Sequence, residues 1–168
     1  MKATHAILVA LVAALIPTSV SAASHEAAKQ RVAIDMKLCW AGKAEPTFVL
    51  TPLQAGHLKG DSGTISSNWL SIPGRDVMRD GQKATIYNGA ETTLTGKRGT
   101  LTIRDRNEWV DLGQDSNRDG ESDGIGITTW KVVRGTGQYA GVVGTGRGGH
   151  VGLGSPWYAR YEGFLTHP

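Results

Sequence analysis

The sequence has little cysteine, no long apolar run and no excess of charge of one sign. Cys39 is the only cysteine among 168 residues, so an internal disulfide is excluded and the fold must be held by its core and its sheet. The longest apolar run, residues 6–16, is far shorter than the ~20 residues that cross a bilayer. A formal net charge of +3 without clustered Lys and Arg argues against nucleic acid as a partner.

Residues 1–22 have the layout of a secretory signal peptide. Lys2 precedes the apolar run of residues 6–16, and small residues lead from Pro17 to Ala22. Signal peptidase accepts small side chains at such a site, so we predict cleavage after Ala22. The remaining residues 23–168 are predicted to form a single exported domain, periplasmic or secreted, with no membrane span.

Period-two alternation of apolar and polar residues dominates the chain after residue 30. In residues 31–40, for example, the apolar side chains fall on one face and the charged side chains on the other. Seven or eight such segments are separated by turn signals such as Pro73-Gly74 and Asp80-Gly81. This spacing predicts an all-β fold, an antiparallel barrel or a sandwich of seven or eight strands.

An acidic segment in the second half has the spacing of a calcium-binding loop. Its oxygen-bearing side chains, the predicted metal ligands, are Asp115, Asn117, Asp119, Glu121 and Asp123. A hard cation is bound by several oxygens, and Gly120 permits a sharp turn at the sixth position. Position twelve is Gly126 instead of the bidentate Glu, and no flanking helix is predicted, so this is not an EF-hand.

Two interpretations of this loop remain open. It holds calcium or a similar cation in a structural role, or it is a solvated hairpin loop built from residues that turn well. Crowding of its carboxylates argues against a plain turn, although Arg118 would relieve part of the repulsion. No organic cofactor is expected, because the glycine motif at residues 135–140 is not followed by the helix that a dinucleotide site needs.

Aromatic residues occur on nearly every predicted strand. Barrels of this size can hold a ligand cavity, and ordinary core packing is the alternative role for these side chains. The residues predicted to line such a cavity are Trp40, Trp69, Tyr87, Trp109 and Trp130. Asp35 and Glu108 are the candidate cavity carboxylates, provided that they face inwards. His57, His150 and His167 are predicted to lie on the surface.

Several motifs of the C-terminal half resemble a known family. They are DSNRDG (115–120), Trp130, RGTGQYAGVVGTG (134–146) and YEGFL (161–165), with LTGKRGTLTIRDR (94–106) upstream. Together they resemble exported bacterial proteins with an allene oxide cyclase-like barrel, and the glycine-rich turn is similar to that of dirigent proteins. The resemblance implies an eight-stranded barrel with a largely hydrophobic cavity. Plant allene oxide cyclases steer a cyclisation with a buried carboxylate, which the resemblance does not map onto a residue here.

Three functions fit these observations. The preferred one is binding of a small apolar or amphipathic molecule in the barrel cavity. The second is a cyclase or isomerase, which requires a cavity carboxylate with a raised pKa. The third is a structural or adhesive domain whose core is filled.

Overall fold

The computed structural model describes residues 29–39, 44–69, 74–87, 89–118, 120 and 122–167. The predicted signal peptide, Trp40, Asp119 and Glu121 lie outside the described residues, as do the side chains of Trp69 and Tyr87. Within the described part of the chain, no helix has the length and apolarity of a membrane span.

Strands make up most of the described chain, with one short 3-10 helix, η1, at Gly137–Tyr139. The strands are β1 (Lys29–Leu38), β2 (Thr47–Pro52), β3 (Asp61–Trp69), β4 (Arg75–Arg79), β5 (Gln82–Tyr87), β6 (Ala90–Gly96), β7 (Gly99–Asp111), β8 (Gly124–Gly135), β9 (Val143–Gly152) and β10 (Trp157–Thr166).

Eight strands close into an antiparallel barrel, which confirms the predicted fold class. Their order is β7-β6-β3-β2-β1-β10-β9-β8, and β8 pairs back to β7. Closure pairs both edges of each barrel strand, which removes the exposed edges that invite aggregation. The hairpin of β4 and β5 lies outside the barrel, where β5 pairs with the second half of β7 and β6 pairs with the first half.

Residues 83–96 contribute to two strands, because Gly89 separates β5 from β6. Gly89 has a φ of 91°, a conformation that side-chain-bearing residues rarely adopt. A Cβ at this position would lie 1.5 Å from the carbonyl oxygen of Asp105. The backbone therefore approaches β7 closely at the point where pairing passes from β5 to β6.

The two ends of the barrel differ in packing. At the end where β3 and β7 begin, which we call the closed end, the interior is filled by large buried side chains. These include Val32, Ile34, Leu50, Leu94, Leu101, Tyr139 and Leu165. Val32 and Ile34 confirm the predicted inward face of β1, whereas Asp35 lies on the outer face and pairs with Arg160.

Asp61 organises the closed end. Its carboxylate, only 7% exposed, accepts hydrogen bonds from the backbone N–H groups of Lys97 (3.0 Å) and Arg98 (3.2 Å) and from the Tyr139 hydroxyl (3.2 Å). The Gln138 N–H in turn donates to the Arg98 carbonyl at 2.8 Å. The turn after β6 and the glycine-rich turn after β8 are thus fastened to the start of β3.

Candidate functional site

The opposite end of the barrel, which we call the open end, contains a cavity of about 330 Å³. It lies where β1 and β3 end and where β6 and β10 begin. Its apolar lining is Met36, Leu38, Pro46, Ile65, Ala90 and Trp157, and its polar lining is Cys39, Ser67, Thr92, Asp105, Asn107, His150 and Tyr161. Ser67 is exposed and Cys39 is half-buried, so this part of the lining forms the mouth of the cavity.

Asp105 places a carboxylate in the cavity wall. Alternation along β7 turns it inwards with Leu101 and Ile103, and the interruption at Gly89 places the Ala90 N–H beside it. The Ala90 N–H donates to Oδ1 of Asp105 at 2.9 Å. The Tyr161 hydroxyl reaches Oδ2 only by a long contact of 3.4 Å, which is weak for an O–H donor. One carboxylate oxygen thus faces the cavity with little hydrogen bonding.

Burial controls the protonation of this pair. Loss of water around Asp105 raises the pKa of its carboxyl group above the ordinary value, and the hydrogen bonds from Ala90 and Tyr161 offset this only in part. Burial, and secondly the neighbouring Asp105 charge, raise the pKa of the Tyr161 hydroxyl, which therefore stays protonated. The carboxyl group of Asp105 therefore takes up a proton at a higher pH than an exposed aspartate does. The phenol of Tyr161 stays neutral and takes part only in hydrogen bonds.

His150 lies on the same wall, and its ring is neutral at pH 7. Burial lowers the pKa of His150 to about 4. Its Nε2 lies 3.2 Å from the amide nitrogen of Asn107, and the Asn107 amide oxygen receives a long contact of 3.4 Å from the Thr128 hydroxyl. With the Asn107 nitrogen as donor, Nε2 is the acceptor and the proton of the neutral ring is on Nδ1.

Two tryptophans stack with the His150 ring at the open end. The ring centroids of Trp109 and His150 are 5.0 Å apart, with 11° between their planes. Trp157 lies 5.8 Å from Trp109 and 6.4 Å from His150. Such stacking holds the imidazole in one orientation, with Nε2 towards Asn107.

The predicted aromatic lining is only partly within the described residues. Trp109 stacks behind His150, while the cavity itself meets Trp157 from the same cluster. Trp130, 3% exposed, lies in the core opposite Asp105 in the strand register. Trp40 and the side chains of Trp69 and Tyr87 remain predictions, because they fall outside what the structure describes.

The prediction of a surface position for His150 is wrong. Its side chain is 6% exposed, because β9 turns it inwards between Gly148 and Gly152. Those glycines supply no apolar alternation, so the inward face of β9 has no hydrophobic signal in the sequence. His57 and His167 are exposed, as predicted.

The conditional carboxylate candidates face outwards. Asp35 forms an ion pair with Arg160 on the outer face. Glu108 pairs in register with Ile127, which is 67% exposed, so both lie outside the barrel. Asp105 was missed, although its position two residues after Ile103 and four before Trp109 gives it the parity of the apolar face. A polar residue on the apolar parity of a strand was the signal that could have found it.

The acidic loop joins β7 to β8 at the open end. Asp123 is fully buried, and its Oδ2 accepts a hydrogen bond from the Ser116 N–H at 3.0 Å. Asp115 accepts one from the Gly120 N–H at 2.9 Å, and the Asn117 amide nitrogen donates to the Leu153 carbonyl at 3.1 Å. No three His, Cys, Asp or Glu residues in the described part of the chain cluster tightly enough to hold a metal by themselves.

Comparison with known proteins adds no relative. A scan against protein-family models, a search of curated proteins and a search of solved structures each found no match.

Proposed function

We propose that this protein binds a small amphipathic molecule in the cavity at the open end of the barrel. The observation that carries the proposal is a cavity of about 330 Å³ with apolar walls and one inward carboxylate. That volume is at the lower end of the range for small-molecule sites, about 300–1,000 Å³, and a few convergent polar groups in an apolar pocket are typical of them.

Two walls of the cavity would contact different parts of a ligand. Met36, Leu38 and Ile65 offer apolar surface against which the hydrocarbon part of a ligand would lose its contact with water. Oδ2 of Asp105, with only its long contact to Tyr161, would accept a hydrogen bond from a ligand hydroxyl or N–H group. A ligand with a donor at one end and a short apolar tail fits this arrangement best.

A second candidate function is a cyclase or isomerase acting in the same cavity. Asp105 is the observation that favours it, because a half-buried carboxyl group with a raised pKa in a cavity is suited to proton transfer. The cavity counts against the third hypothesis, a structural domain whose core is filled.

Export and membership of the allene oxide cyclase-like barrels are part of the proposal. Export is supported by the signal-peptide layout of residues 1–22. The family is supported by the glycine-rich motif of residues 134–146 together with the eight-stranded antiparallel barrel.

Calorimetric titration with 1-heptanol and with its isomer hexyl methyl ether tests the binding proposal. The two probes are equal in composition, but only the alcohol can donate a hydrogen bond to Asp105. We expect saturable binding of both, with the alcohol bound about fivefold more tightly, since one hydrogen bond contributes about 1 kcal/mol.

Neighbouring serines of β3 provide a matched pair of variants. Ser67 lines the cavity mouth, whereas Ser66 is exposed on the other face of the strand. Ser67→Trp should obstruct the mouth and abolish binding, and Ser66→Trp should bind as the unaltered protein does. Equal binding by the two variants, or no saturable heat from either probe, would overturn the proposal.

Incubation with a reactive probe, an unsaturated fatty-acid epoxide, distinguishes a catalytic function from a binding function. If the cavity is an active site, incubation yields an isomeric product of unchanged mass, and Asp105→Asn stops its formation while still binding heptanol. Recovery of the unchanged epoxide rejects the second candidate for this probe class and leaves the binding function.

A further inference from the structure

We propose that the acidic loop, residues 112–123, binds one calcium ion through the buried carboxylate of Asp123. This site is separate from the cavity, and the inference does not depend on the ligand-binding function.

Asp123 itself supplies the structural observation. The residue has no solvent exposure, and its Oδ2 accepts hydrogen bonds from both the backbone N–H and the hydroxyl of Ser116. Its other oxygen, Oδ1, is also buried but has no hydrogen-bond partner among the described residues. A buried, negatively charged oxygen without a partner is costly, and a bound cation removes that cost.

Hydrogen bonds to the backbone fix the position of Asp123 in the loop. The Asp123 N–H donates to the Gln114 carbonyl at 2.6 Å, and the Ser116 N–H donates to Asp123 Oδ2 at 3.0 Å. Residues 114 and 116 on both sides of Asp115 are therefore bonded to Asp123. The Gly120 N–H, from the far side of the loop, donates to the Asp115 carboxylate at 2.9 Å. Both described carboxylates are thus hydrogen-bonded to backbone groups of the same short loop.

The donor chemistry favours calcium over other metals. The loop offers carboxylate, amide and carbonyl oxygens and contains no histidine or cysteine, so zinc and copper are disfavoured. Two carboxylates, Asp115 and Asp123, balance a double positive charge. Calcium accepts six to eight oxygens in irregular geometry, including carbonyls and water, whereas magnesium requires a near-ideal octahedron. An irregular loop that offers several kinds of oxygen therefore suits the larger ion.

Cation binding here would stiffen the rim of the cavity. Asn117 connects the loop to Leu153, in the turn before β10 and Trp157. Gly124, which follows the loop directly, packs against the Trp109 ring, where an added Cβ would lie 2.0 Å from the ring. The loop thus adjoins both tryptophans of the stack that flanks His150.

Thermal unfolding and calorimetry of the protein with calcium chloride, magnesium chloride or a chelator test this inference. We expect a melting temperature that is higher in calcium than in chelator, a smaller shift in magnesium, and saturable heat on calcium addition. Identical melting curves in calcium and chelator, together with no binding heat, would overturn the proposal.

Two substitutions locate the ion. Asp123→Asn keeps an oxygen that can accept the Ser116 bonds but removes the charge, and it should weaken calcium binding at least tenfold. Asp115→Asn, at a less buried carboxylate, should weaken binding as well and serves if Asp123→Asn fails to fold. Asp80→Asn is the matched control, because Asp80 is exposed in the β4–β5 turn with a φ of 48° that Asn tolerates.

The control should bind calcium as the unaltered protein does, and undiminished binding by both loop variants would contradict the assignment. Ser67→Trp, which obstructs the cavity, should also retain calcium binding. Failure of the cavity proposal and failure of the calcium proposal are therefore distinguishable.

Discussion

Each end of the barrel contains an aspartate beside a tyrosine. Asp61 is buried and Asp105 is half-buried, and the two carboxylates differ in how fully they are hydrogen-bonded. At the closed end, Asp61 accepts bonds from two N–H groups of the neighbouring turn and from Tyr139. At the open end, Asp105 has one short bond from Ala90, one long contact from Tyr161 and a cavity beside it. The same pair of groups is structural where donors saturate it and a candidate site where they do not.

The surroundings of the two pairs explain this difference. Around Asp61, the turn after β6 brings the N–H groups of Lys97 and Arg98, and the glycine-rich turn after β8 brings the Tyr139 hydroxyl. Gly137, with a φ of 59°, allows the second turn to approach so closely that a Cβ would lie 2.2 Å from the Arg98 carbonyl oxygen. Around Asp105, the strand pairing is interrupted at Gly89, and among the N–H groups that the structure describes only that of Ala90 is directed at the carboxylate. Backbone geometry therefore decides how many donors each carboxylate receives.

The greatest loss of stability is expected from removal of the Asp61 carboxylate at the closed end. Asp61→Ala leaves the N–H groups of Lys97 and Arg98 without their acceptor and removes the partner of the buried Tyr139 hydroxyl. We expect a loss of about 3 to 5 kcal/mol in the free energy of unfolding, measured by urea denaturation. Tyr139→Phe removes only one of these bonds and should cost less than half as much. A loss below about 1 kcal/mol in Asp61→Ala would show that the two ends do not differ as described.

Acid should destabilise the folded protein through His150 at the open end. Burial lowers the pKa of His150 from 6.5 to about 4, so the unfolded chain takes up its proton before the folded protein does. This contribution to stability is complete above pH 6.5 and is lost as pH falls towards 4. It amounts to at most about 3 kcal/mol. Denaturation at several pH values should show a steeper decline in the unaltered protein than in His150→Gln.

Asp105 faces the same cavity and acts with the opposite sign. Its raised pKa favours the protonated form in the folded state, so Asp105 adds stability as pH falls. Repeating the His150 comparison in an Asp105→Asn background removes this contribution. An equal pH dependence with and without His150 in that background would contradict the assignment of a buried, neutral imidazole.

A difference of about 2 kcal/mol between two glycine variants is expected at the β5–β6 interruption. Gly89 and Gly81 both have positive φ, 91° and 81°, but a Cβ at Gly89 meets the Asp105 carbonyl while a Cβ at Gly81 meets nothing within 4 Å. Gly81→Ala should cost about 1 kcal/mol through backbone strain alone. Gly89→Ala should cost about 2 kcal/mol more and weaken heptanol binding, because Asp105 must move. Equal costs in urea denaturation would remove Gly89 from the positioning of Asp105.

Local pattern accounts for the parts of the fold that were predicted correctly. Alternation identified the inward face of β1, where Val32 and Ile34 are buried. β4 and the break at Gly89 were missed, because an exposed hairpin and a close approach to a distant strand leave weak local signals. The rejected dinucleotide motif is a 3-10 turn in the closed end, at Gly137–Tyr139.

The candidate site was less predictable than the fold. The sequence predicts a cavity lined mainly by tryptophans, with Asp35 and Glu108 as its candidate carboxylates. Asp105 and His150 come instead from β7 and β9, and both strands pair with β8. Their meeting depends on strand order and register, which are set by contacts between distant residues.

The all-β character of this protein is evident in the amino-acid sequence alone, because side chains along a strand alternate in direction and leave a period-two pattern within a few residues. The acidic loop and the glycine-rich turn are likewise recognisable from their residues alone. That the Asp61 carboxylate is saturated with donors while the half-buried Asp105 carboxylate faces a cavity follows from the three-dimensional arrangement of the strands. The physical reason is that hydrogen-bond donors and empty space around a side chain are supplied by neighbouring strands, and closure of the barrel selects those neighbours.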